Sequence, residues 1–191
     1  MSEQSPIVAS AIEIRIEEIS QLFNTLDPFP FREKDLNRDA EEFIVGCARE
    51  LPADQPLKII VHLPETQAST SEATELGEAI TRYFGYRVRI ITFDLSELFR
   101  VGRRALAIGV TVLSFSVITS QTVAANLTPR PVGSFVEESL IIFGWVANWR
   151  PIEIFLYDWW PIVRRRNLYR RLSAAQVELR SYKNEPRSSE K

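Results

Sequence analysis

One cysteine and one histidine in 191 residues leave little material for metal or redox chemistry. Cys47 alone makes no internal disulfide and no cysteine-based zinc cluster, and His62 alone excludes a multi-histidine metal site. The chain also has no glycine-rich phosphate loop, no nucleophile elbow, and no serine–histidine–acid set that a single histidine would serve. No cofactor is called for, and an enzyme is not expected. Lysine is scarce too: only Lys34, Lys58, Lys183 and Lys191 stand among 23 basic residues. A formal net charge of -2 gives no global pull toward nucleic acid, so none is expected as a partner. Residues 1–20 lack a basic segment followed by an apolar one, so no secretory signal precedes the soluble part.

What the chain does have is apolar length. Residues 105–128 carry no charge, and a second apolar stretch, 135–163, follows almost at once. About 20 apolar residues, at a rise of ~1.5 Å each, cross a hydrocarbon core. The pattern predicts a transmembrane hairpin with spans at about 105–128 and 136–158. Arg100, Arg103 and Arg104 precede the first span, with Arg87 and Arg89 upstream; Arg164, Arg165, Arg166, Arg170 and Arg171 follow the second. The connection holds only Arg130, with Glu137 and Glu138 at the mouth of the second helix. The bias of basic residues toward cytoplasmic flanks places both termini inside. The flanking arginines are read as topology determinants and lipid-headgroup contacts. Tyr157, Trp159 and Trp160 fall where an interfacial aromatic belt sits.

The remaining residues read as a small α+β domain of sheet plus helix, with the hairpin inserted in it. Residues 11–17 alternate Ile12, Ile14 and Ile16 with Glu13, Arg15 and Glu17, a half-buried strand. Prolines in the segment 27–31 forbid a regular helix there. A helix is expected from the capping residue Asn37, with Asp39, Glu41 and Glu42 as a solvated first turn. Its apolar stripe would be Ala40, Phe43, Ile44, Cys47 and Leu51. Residues 57–63 form a second strand, and Thr70 or Ser71 caps a further helix. The segment 86–93 alternates like a strand. The wider spacing from Leu76 to Phe99 fits a helix feeding into the first span, and no proline interrupts it. Residues 176–182 alternate again, and a strand at about 175–182 would complete a sheet that two strands alone could not stabilise. The expected organisation is a cytoplasmic domain over 1–98, the hairpin over 99–163, and a basic segment, strand and tail over 164–191. The tail 186–191 reads as disordered.

The second span carries the unusual residues. Arg150 falls ~12 Å from the cytoplasmic interface if the span ends near Asp158. Glu153 lies three residues on, on the same helical face, where the two can pair. Pro151 removes one backbone hydrogen bond and frees the carbonyl of Ala147. Charges at this depth cost ~2.5 kcal/mol or more each without a partner or a wet cavity. The pair is open to three readings: a structural pin, a recognition site within the membrane, or part of a polar pathway. Thr111 and Ser114 fall at the same depth in the first span and are the candidate contacts across the hairpin. Asp158 reads as a cap or as the partner of a flanking arginine.

The segment 144–161 (GWVANWRPIEIFLYDWWP), the arginine-rich run after it, and Leu168-Tyr169 resemble a group of small bacterial inner-membrane proteins with no assigned activity. The segment from Asp27-Pro28 to Glu42-Phe43 is similar to their N-terminal part. The resemblance implies a cytoplasmic α/β portion, two spans and a bacterial cytoplasmic membrane; it implies no catalytic residue. The expectation is a membrane-anchored interaction or accessory module, partnered by the bilayer and by a second copy or a larger membrane protein. The alternative is an oligomeric transport or channel component using Arg150 and Glu153.

Overall fold

The computed structural model describes residues 10–23, 35–126 and 130–183. The proline-rich segment 27–31, the tail 186–191 and residues 127–128 of the first expected span lie outside them. The chain divides into two compact units, Met1–Ile90 with Arg165–Lys191, and Ile91–Arg164.

The first unit is built on three parallel strands in the order β1 (Ser10–Arg15), β2 (Leu57–Pro64), β3 (Gln176–Tyr182). Parallel neighbours need a crossover. α1 (Arg38–Glu50) makes the first, between β1 and β2. Everything between β2 and β3, the whole second unit included, makes the second. The register pairs Ile12 with Ile59 and Ile14 with Val61, and on the other side Val177 with Ile59 and Leu179 with Val61. These six apolar residues therefore share one face of the sheet. Glu13, Arg15, Lys58, His62, Glu178 and Arg180 share the other, with Lys58 bridged to Glu178 and Arg15 stacked on Tyr182 at 4.2 Å. His62 sits there, half-buried and 3.6 Å from Glu13.

The helices cover the apolar face. β2 runs into a short helix, α2 (Glu65–Ala68), and then α3 (Ser71–Asn126) begins. Thr70 caps α3, its hydroxyl accepting from the Ala73 N–H at 3.3 Å. Gly77 lets α3 lie close on β3: a Cβ there would come within 3.3 Å of the Val177 Cβ. Leu76, Ile80 and Phe84 of α3, Ile44 and Ala48 of α1, and Leu172 are fully buried. Residues 86–93 are helical, so the helical of their two patterns is the one adopted.

The apolar stripe of α1 is not the expected one. Phe43 is 52% exposed and Cys47 only half-buried. The buried residues are Ile44, Val45 and Ala48, which place Glu41 at the head of the stripe by the i, i+3, i+4, i+7 rule. A carboxylate thus enters the core side of the helix.

In the second unit α3 continues from Ile91 and is followed by α4 (Arg130–Ala147), α5 (Trp149–Glu153), a π-helical turn (Ile154–Asp158) and the start of α6 (Trp159–Ser173). Among the described residues one helix, α3, is long and apolar enough to cross a membrane. The second expected span departs from expectation. Its helix begins at Arg130, well before residue 136, and is broken at Asn148 and again by the π turn. Pro151, lacking an N–H, removes the bond that would continue α4 past Ala147.

Within this unit the two helical arms run antiparallel. Phe155 stacks on Phe99 at 6.1 Å, and Ile154 lies against Gly102. Asn148 and Ala147 meet Gly109, and Gly144 meets Leu113 and Ser116. Gly102, Gly109 and Ser116 recur every seven residues on α3, and their lack of side-chain bulk lets the backbones approach. A Cβ on Gly109 would fall 3.0 Å from the Ala147 carbonyl oxygen, and one on Gly144 would fall 3.1 Å from the Leu113 Cα.

Candidate interaction sites

The first candidate site lies on α5 and the π turn. Pro151 is buried and fixes the start of this segment, and Ile154 packs inward. Arg150, on the outward side, reaches two carboxylates with one nitrogen: Glu153 Oε2 at 3.1 Å and Asp158 Oδ2 at 3.2 Å. The Trp149 indole N–H donates to Glu153 Oε1 at 3.0 Å. In a regular α-helix eight residues separate Arg150 from Asp158 by ~12 Å of axis. The π turn lies in that interval, a feature often found where a helix serves a function. Arg150 is 63% exposed and its surroundings are apolar: Trp149, Leu156, Tyr157 and Trp160 are exposed as well.

Thr111 and Ser114 do not meet this network. Both are exposed, and the Thr111 hydroxyl donates to the carbonyl of Ala107 in its own helix at 2.8 Å. They lie on the side of α3 away from the Gly102–Gly109–Ser116 stripe. The cross-arm polar contact is made by Asn148, which sequence reasoning missed. Its Nδ2 donates to the carbonyls of Gly109 and Gly144, each at 3.0 Å. The signal was present as an asparagine in an apolar run opposite a seven-residue repeat of small residues.

Of the flanking arginines, Arg100 pairs with Glu97 at 2.7 Å. Arg103, Arg104, Arg164 and Arg165 are exposed, and Arg166 is half-buried.

A second constellation, within the first unit, centres on Glu41. Its side chain is 14% exposed. The Tyr83 hydroxyl donates to Oε2 at 2.7 Å and the Tyr169 hydroxyl to Oε1 at 2.7 Å, while the Arg87 Nε donates to Oε1 at 3.2 Å. Three helices, α1, α3 and α6, are thus tied at one carboxylate. Burial alone pushes the Glu41 carboxyl up; the two phenol hydrogen bonds and the Arg87 charge outweigh it and hold the group below its usual range. Burial and the hydrogen bond to Glu41 push the Tyr83 and Tyr169 hydroxyls up, so both remain donors. Glu41, expected at a solvated helix start, is instead the polar hub of the helical layer. Its place in the stripe with Ile44, Val45 and Ala48 was the available signal.

Among the described residues no cluster of three or more His, Cys, Asp or Glu is placed to hold a metal ion. No family model, no curated protein and no solved structure matches the chain.

Proposed function

We propose that the chain is an integral membrane protein of a bacterial cytoplasmic membrane, in which the two arms of the second unit cross and return. In this reading both termini are cytoplasmic, and the protein is an interaction or accessory module instead of an enzyme. The long apolar helix α3 and the arginines that flank both arms support the topology. The exposed apolar side chains of the second unit support it too, with Phe115 71% and Trp149 65% exposed.

The observation that carries the interaction role is the Arg150–Glu153–Asp158 network. Three charges sit on the outer side of an apolar hairpin, turned away from the packed seam. Near the centre of a bilayer a charge such as that of Arg150 costs ~2.5–3.5 kcal/mol, a cost that pairing offsets only in part. A neighbouring membrane helix, from a second copy or a larger protein, would shield them and supply complementary polar groups.

The test is the intact mass of the complex purified from native membranes in a mild detergent, for wild type and for Arg150→Gln. Stoichiometric recovery with a second membrane protein, lost in the variant, supports the accessory role. A homo-oligomer of fixed copy number that carries a flux after reconstitution would favour the transport alternative. A lone monomer in native lipid would overturn both.

A further inference from the structure

The hydrogen-bonded hub at Glu41 forms one wall of an open cleft of about 670 Å³ in the first unit. Four arginines, Arg38, Arg49, Arg87 and Arg165, line it together with two carboxylates, Glu41 and Glu42, and Tyr169. This is a concentration of positive charge in a chain whose formal net charge is -2. Two of the four are matched locally: Arg38 pairs with Glu42 at 2.9 Å and Arg87 with Glu41 at 3.2 Å. Arg49 and Arg165 have no carboxylate within ion-pair distance among the described residues. Glu41 has little left to offer them, since both its oxygens already accept hydrogen bonds.

The cleft is also held in shape. The guanidinium of Arg165 lies 5.5 Å from the Tyr169 ring centroid and that of Arg87 5.9 Å from the same ring. The Tyr169 hydroxyl is itself fixed on Glu41. One aromatic ring thus contacts two guanidiniums; Arg87 is balanced by Glu41, whereas Arg165 faces the cleft without a carboxylate partner among the described residues. Arginine forks match a tetrahedral oxyanion with two parallel donors each, and two unmatched positive charges balance a phosphate monoester, which carries about two negative charges at neutral pH.

We propose that this cleft binds a phosphate monoester, with Arg49 and Arg165 as its principal charge partners, Arg87 as a further donor, and Tyr169 as the platform that positions Arg165. The group reaches the cleft either on a lipid headgroup or on a water-soluble compound. The proposal stands apart from the membrane reading, because its first arm needs no bilayer.

The test uses the full chain in a neutral maltoside detergent and two probes: inorganic phosphate, followed by ³¹P line broadening, and phosphatidate doped into the micelles. Arg49→Gln/Arg165→Gln is expected to weaken binding by about tenfold or more at an unchanged unfolding temperature. Arg49→Gln alone, which leaves the stack on Tyr169 intact, is expected to weaken it less. Arg103→Gln/Arg104→Gln is expected to leave it unchanged. Phosphatidate that displaces phosphate, or that alone binds and responds to the double substitution, assigns the site to a lipid headgroup. Phosphate binding that responds to the double substitution and is indifferent to phosphatidate assigns it to a soluble compound. The proposal is overturned if neither probe binds, if the double variant binds as well as wild type, or if the Arg103/Arg104 control weakens binding equally.

Discussion

The Asn148 side chain donates a 3.0 Å hydrogen bond to the carbonyl oxygen of Gly109, joining two arms that are 39 residues apart in the chain. The bond exists because Gly109 has no side chain: a Cβ there would lie 2.7 Å from Asn148 Oδ1. Gly109→Val should therefore force the arms apart and destabilise the second unit by about 1–3 kcal/mol, read as a lower unfolding temperature in detergent. Gly46 in α1 has nothing within 4 Å of its missing Cβ, so Gly46→Ala should be neutral or stabilise by up to about 1 kcal/mol. Equal losses from the two substitutions would contradict the packing described.

Glu41→Gln should destabilise the first unit by about 1–3 kcal/mol at pH 7, the cost of weakening hydrogen bonds to an ionised acceptor. The Glu41 carboxyl is held below its usual range, so its contribution is fully present above that range and lost as pH falls through the lower folded value. The gap between wild type and variant should narrow as pH drops below about 4. Denaturant midpoints at stepped pH values measure it, and a pH-independent gap would show that Glu41 is not held ionised.

Arg150 serves two carboxylates, so the members of its network should not respond equally. Arg150→Gln strands both Glu153 and Asp158, whereas Glu153→Gln leaves Arg150 paired with Asp158. The arginine substitution should be the more damaging. The double variant should be tolerated better than Arg150→Gln alone, with a coupling of about 1 kcal/mol in a double-mutant cycle. Simple additivity would mean that the three groups do not act together.

Stopping the chain after Ala175 should cost the first unit its cooperative unfolding. β2 would lose its partner β3, and with it Val177 and Leu179 beside Ile59 and Val61. Two strands make a marginal sheet, so the outcome expected is protease sensitivity throughout residues 57–64.

The strands were legible because Ile59, Ile60 and Val61 make a short apolar run, and because 11–17 and 176–182 alternate. Their parallel pairing was not, since register and direction depend on contacts far apart in the chain. The stripe of α1 was ambiguous because residues 40, 43, 44 and 47 and residues 41, 44, 45 and 48 fit the same helical spacing, and the first set carries no charge. Arg150 and Glu153 were legible as an i, i+3 pair; Asp158 joins them across the π turn, which hydropathy alone does not reveal. Hydroxyls at matching depth, Thr111 and Ser114, do not mark the cross-arm contact, because close approach is governed by the absence of side-chain volume at Gly102, Gly109 and Gly144. The Glu41 hub needed three helices brought together before its tyrosines could be recognised as donors.

The parallel sheet places a condition on biogenesis. β2 emerges from the ribosome with one neighbour, and its other edge stays open until β3 arrives from beyond the inserted unit. If the two arms cross the bilayer and return, a chain with one arm stalled leaves β3 in the opposite compartment from β2. Its β2 edge then remains unzipped, an open row of backbone groups ready to pair with another chain. In that topology the third strand would be a latch fastened only when both arms have crossed.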